Sequence, residues 1–83
     1  MDLVARIEVI LYAADPIRIA AGVNRDEYRP EAQAIVARLP SARSVDEVEL
    51  IVHQEFVRLF DRELAGPLER YRGVAATIWR LLD

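Results

Sequence analysis

His53 is the only histidine of the chain, and Glu49 stands four residues before it, so on a helix the two side chains share a face. An imidazole beside a carboxylate suggests metal or acid–base chemistry. One His and one Glu, however, leave a catalytic zinc short of a third ligand. The spacing is not the Glu-x-x-His of di-iron bundles, nor H-E-x-x-H. A solvated or capping His beside a Glu is the plainer reading, and no metal or other cofactor is expected. A Ser-His-Asp arrangement would draw its nucleophile from Ser41, Ser44 or Thr77, and no G-x-S-x-G elbow holds any of them. Gly22, Gly66 and Gly73 lie too far apart for a phosphate loop. Asp61 and Glu63, two apart on a helix, point to different faces. The expectation is therefore a protein that is not an enzyme, with no catalytic residue.

The acids are the more useful signal. Asp46, Glu47, Glu49 and Glu55 occur with no Arg between Ser44 and Val57, and the segment before them adds Asp26, Glu27 and Glu31. Capping and a solvated polar face are the plainer explanation. The functional one is an acidic patch that docks a basic partner surface, acids steering encounter and Tyr28 and Arg29 serving as anchors. Tyr28 either packs its ring on the core or stands at that surface, and packing is favoured. The candidate partner-binding set is thus Asp26, Glu27, Tyr28, Arg29, Asp46, Glu47, Glu49 and His53.

Helices must position these residues. Ser44 and Glu47 form an S-x-x-E capping box, the Glu reaching back to the cap residue. Val48, Ile51, Val52, Phe56, Leu59, Phe60 and Leu64 then recur at three- and four-residue steps, so one long helix over 44–66 is predicted. Its polar face takes Asp46, Glu47, Glu49, His53, Gln54, Arg58, Asp61 and Arg62. Gly66 suits its C′ position and Pro67 stops it. Before it, a helix over 2–14 carries Leu3, Val4, Ile7, Ile10, Leu11 and Ala14 on one face, with Glu8 away from that face. Asp15–Pro16 starts a short helix over 16–22, a loop spans 22–30, and a helix covers 30–39. The last helix, 67–83, buries Leu68, Tyr71, Val74, Ala75, Ile78 and Leu82. Gly73 inside it marks a close helix contact, and Trp79 and Leu81 flank the stripe.

Eighty-three residues make a single helical domain, 1–83, and a hydrophobic fraction of 53% can supply its core. Without Cys there is no disulfide framework and no thiolate nucleophile. No apolar run approaches the ~18 residues that span a bilayer, and no signal peptide is evident, so no membrane partner and a cytoplasmic home are expected. The net charge of −3 weighs against nucleic acid. Residues 1–55 hold six Arg against ten acids and 56–83 five against four. The late arginines alternate with Asp61, Glu63 and Glu69, the mark of ion-paired solvated faces rather than a groove-reading helix.

The strings DPIRI at 15–19, GVNRDEYRPE at 22–31, SVDEVELIVHQEFVRLF at 44–60 and GPLERYRGVAATIW at 66–79 resemble the YugE-like domain-of-unknown-function family of bacteria. Its pattern is a DP-initiated short helix, a D-E-Y-x-P-E loop, a capped helix ending in F-V-x-x-F and a terminal Tyr…Trp helix. The resemblance covers roughly 15–79 and implies an all-helical fold. It supplies no established activity and lends no catalytic residue to any position.

The expected architecture is all-α, a compact small bundle of about four to five helices. The expected function is a protein–protein interaction module. In its sharp form this is an immunity or antitoxin-type protein that blocks a cognate bacterial toxin, whose basic cleft an acidic helix and loop would complement. The alternative is a structural or regulatory homo-oligomer, a homodimer through Trp79 and Leu81. A small-ligand site near Glu49 and His53 is the third reading.

Overall fold

Asp2 accepts a hydrogen bond from the backbone N–H of Ala5 at 2.8 Å and so starts the first helix, α1, Leu3–Ala14. Asp15 ends it in the left-handed conformation, φ 45°, one of the few non-glycine residue types that tolerates that region. Asp15 is thus the C-cap of α1, and the N-cap role expected of it belongs to a helix outside the described residues. The computed structural model describes residues 2–16 and 28–82, so the helix expected over 16–22 and most of the loop over 22–30, with Asp26 and Glu27, lie outside the described residues.

α2 runs Arg29–Arg38, with Pro30 in its first turn where a missing N–H costs nothing. A 3-10 turn, Leu39–Ser41, closes it. α3, Val45–Leu59, begins at the expected cap: Ser44 Oγ accepts from the N–H of Glu47 at 3.2 Å. The reciprocal arm differs, since Glu47 Oε1 accepts from the N–H of Arg43 at 2.6 Å, one residue before the cap. The predicted long helix then breaks. Phe60 leaves helical geometry at φ −117°, ψ −82°, and Asp61 caps a separate short helix, α4, Arg62–Ala65, through Leu64 N–H at 2.6 Å. The break turns Leu64 outward to an exposed position rather than onto the core. Gly66 follows at φ 79°, ψ −169°, a conformation that needs glycine but is not the left-handed helical one. The last expected helix is likewise two pieces, a 3-10 turn over Leu68–Tyr71 and α5, Arg72–Leu82.

Among the described residues the structure is therefore five α-helices and no strand, an all-α bundle. α3 packs on α2, α4 and α5, while α1 packs on α2 and α5. The wide apolar stripe of α3 explains its central place: Val48, Ile51, Val52 and Phe56 are all buried. Phe56 sits between two wholly buried tyrosines, its ring 6.0 Å from Tyr28 and 5.1 Å from Tyr71. Both phenols find acceptors, as buried hydroxyls must. Tyr28 donates to Asp15 Oδ1 at 2.6 Å, and Tyr71 donates to the carbonyl of Ala65 at 2.5 Å. No helix among the described residues is long and apolar enough to cross a membrane.

Candidate functional site

α3 divides its acids between two environments. Asp46 and Glu47 occupy the exposed first turn, and neither has an ion pair among the described residues. One turn on, Leu50 is 44% exposed, and Val45 beside them is 36% exposed. Leu50 falls out of phase with the buried stripe, whereas Val45 is in phase with it and is exposed by its place at the helix start, so the outer face of α3 carries Asp46, Glu47 and one apolar side chain, Leu50. Asp46 and Glu47 were legible here from the capped first turn, while Leu50, out of phase with the stripe, went unread.

Glu49 departs from its expected place on the polar face. It is 5% exposed, between α3 and α5, with Oε1 3.5 Å from Arg72 Nη2. Its other oxygen has no hydrogen-bond partner among the described residues. The Arg72 side chain is 73% exposed. Water therefore screens this pair, and its worth is small compared with a dry one.

His53 is half-buried and points elsewhere. Its Nε2 lies 2.9 Å from the carbonyl of Gly66, and its ring sits 5.6 Å from that of Tyr71. A carbonyl only accepts, so Nε2 carries the proton and is occupied. Glu49 and His53 share a helix but serve different neighbours, α5 and the Gly66 turn. Among the described residues no group of three His, Asp or Glu side chains gathers to hold a metal.

Tyr28 is wholly buried and packs, as favoured, with its hydroxyl on Asp15. Arg29 lies at the start of α2 and reaches back to Glu8 of α1, Nη2 to Oε1 at 3.2 Å. That contact explains why Glu8, expected away from the core, is buried instead. Glu55 follows the same rule more strongly. Its Oε1 receives both Nε and Nη2 of Arg58 at 2.9 and 2.7 Å, and its Oε2 receives Arg38 Nη1 at 3.0 Å. Burial pushes this carboxyl's pKa up, but the hydrogen bonds and charges of Arg58 and Arg38 outweigh it and hold the group below its usual value. The buried phenol of Tyr71 is pushed up to about 12 by loss of water, against the opposing charge of Arg70.

Arg70 was given no role from the sequence beyond its charge. Its Nη1 donates to the carbonyls of Pro16 at 3.0 Å, Ala65 at 3.3 Å and Leu64 at 3.4 Å. One guanidinium thus joins the end of α1 to the end of α4. No pattern along the chain signals such a contact, because carbonyls carry no residue identity.

No protein-family model, curated protein or solved structure matches this chain.

Proposed function

We propose that the chain is a non-enzymatic protein-interaction module that engages a basic surface of a partner protein through the outer face of α3. The observation that supports this reading is the exposed start of α3, where Asp46 and Glu47 have no ion pair among the described residues, Leu50 stands 44% exposed one turn on, and Val45 is 36% exposed at the helix end. Acids of that kind speed encounter with a basic surface, and desolvated apolar groups beside them supply retention. Glu8, Glu49 and Glu55 belong to the bundle, each facing an arginine, and leave this role to the outer face. The contact set of the proposal narrows accordingly to Asp46 and Glu47 with Val45 and Leu50. Its sharp form is an inhibitor of the immunity or antitoxin type that covers the basic cleft of a cognate toxin in the cytoplasm. The resemblance to the YugE-like family rests on the sequence strings alone and implies an all-helical module without adding a role.

The test is capture of partners by the tagged full chain from its native cells, with the affinity of the captured partner then measured against variants. Asp46→Arg and Leu50→Asp are each expected to weaken the complex tenfold or more, about 1.4 kcal/mol, with helix content by circular dichroism unchanged. Full-strength binding by both variants rejects the α3 face.

A further inference from the structure

A second surface lies between α1 and α5. Val9, Ile10 and Ala13 of α1 and Gly73, Val74 and Thr77 of α5 line a groove of about 480 Å³, and Arg70 stands at its end. That volume falls within the range of ligand pockets, roughly 300–1,000 Å³, which pair apolar walls with a few polar groups that fix orientation. Gly73 keeps the groove open, since nothing among the described residues lies within 4 Å of a Cβ added there. Val9 is 43% exposed at the rim. Thr77 commits its hydroxyl to the Gly73 carbonyl at 3.0 Å. Arg70 is the only charged group among the described residues of the lining, and it is left to orient a ligand.

Arg70 differs from the other arginines that hold the bundle together. Arg29, Arg38, Arg58 and Arg72 each face a buried glutamate, whereas Arg70 enters no ion pair among the described residues. Its guanidinium is nevertheless fixed. Nη1 donates to the carbonyls of Pro16, Ala65 and Leu64, and the group lies so close to Gly66 that a Cβ there would meet its Cζ at 2.5 Å. Carbonyls leave the positive charge uncompensated, and Nε and Nη2 donate to nothing among the described residues. Arg58 uses that same pair of nitrogens on Glu55 Oε1. A fixed guanidinium with an unused fork of donors matches a carboxylate.

We propose that this groove binds a small apolar carboxylic acid of the medium-chain fatty-acid class, its carboxylate on Nε and Nη2 of Arg70 and its alkyl chain along Ile10, Gly73 and Val74. At about 1.5 Å of rise per residue, Arg70 to Thr77 spans roughly 10 Å, the reach of an extended octanoate. The groove walls offer no partner for the amides of a peptide, so a plain alkyl chain suits them better. The inference does not depend on the α3 face, which seeks a basic protein surface.

The experiment titrates the full chain, labelled with nitrogen-15, with octanoate, octanol and octylammonium, and follows the backbone amides by NMR. Octanoate is expected to bind about tenfold more tightly than either of the others, the scale of one charge-assisted hydrogen bond, although the chain's own net charge of −3 favours the ammonium. The shifts should concentrate at Ala13, Gly73, Val74 and Thr77. Gly73→Leu, at an exposed position, should fill the groove and abolish binding with helix content retained. Arg70→Gln should bring octanoate down to the affinity of octanol and leave octanol unchanged. If Arg70→Gln loses helix content, the comparison of the three probes and Gly73→Leu decide the case. Equal affinity for the three probes, no binding, or octanoate binding indifferent to Gly73→Leu overturns the proposal. So does a concentration-dependent dimer in sedimentation that Gly73→Leu dissolves, which would assign the groove to a second copy.

Discussion

The hydroxyl of Tyr28 reaches across from the start of α2 to the carboxylate of Asp15 at the end of α1, 2.6 Å away, while its ring lies wholly buried against Phe56. One side chain therefore joins two helix ends and the aromatic core. Tyr28→Phe keeps the ring and removes the bond. Hydrogen bonds to charged groups contribute about 1.5–3 kcal/mol, so a loss of that order is expected, read as a lower urea midpoint with unchanged slope. A loss below about 0.5 kcal/mol would show that the bond merely replaces one to water.

Acid stability should report Glu55. Against the upward push of burial, Arg58 and Arg38 hold its pKa below the ordinary glutamate range. A carboxylate depressed in the folded state contributes stability that is fully present above the unfolded value and is lost as pH falls through the folded one. Stability should therefore decline as pH drops below about 4.5, and Glu55→Gln should flatten that decline while lowering stability at neutral pH. An unchanged acid limb in Glu55→Gln would assign the decline to other carboxylates.

Tyr71 sets the opposite edge. Its folded pKa is raised to about 12 from 10.0, so the folded state keeps a proton that the unfolded chain releases. The Tyr71 contribution to stability is then constant below pH 10 and falls as pH rises from 10 towards 12. Absorbance titration should show one phenol ionising near pH 12, well above the ordinary tyrosine range, and that component should vanish in Tyr71→Phe.

The two described glycines should respond to alanine with opposite signs. Around Gly73, in α5, nothing among the described residues lies within 4 Å of an added Cβ, so the close contact expected there is absent. Gly73→Ala should stabilise by up to about 1 kcal/mol, the helix-propensity difference. Gly66 has φ 79°, and a Cβ there would meet the Arg70 guanidinium at 2.5 Å. Gly66→Ala should cost more than about 1 kcal/mol and loosen the grip of Arg70 on the Pro16 carbonyl. Thermal melts of both variants decide the matter, and stabilisation by Gly66→Ala would contradict the geometry.

What the sequence determined by itself was whatever acts within a turn or two of chain. The cap at Ser44, the stripe of Val48, Ile51, Val52 and Phe56, and the stop at Gly66–Pro67 are local, because capping, periodicity and allowed φ involve neighbours only. The all-α class and the burial of Tyr28 were legible for the same reason. Tertiary structure alone decided which carboxylates go inside. Glu8 and Glu49 are buried because Arg29 and Arg72 approach from other helices, and nothing within a turn of either glutamate announces that partner. It also decided the break at Phe60, where the chain turns so that the Ala65 carbonyl meets Tyr71 and the Gly66 carbonyl meets His53. The candidate surfaces divide the same way. Asp46 and Glu47 could be read from the capped first turn, whereas the groove beside Arg70 exists only where α1 and α5 come together.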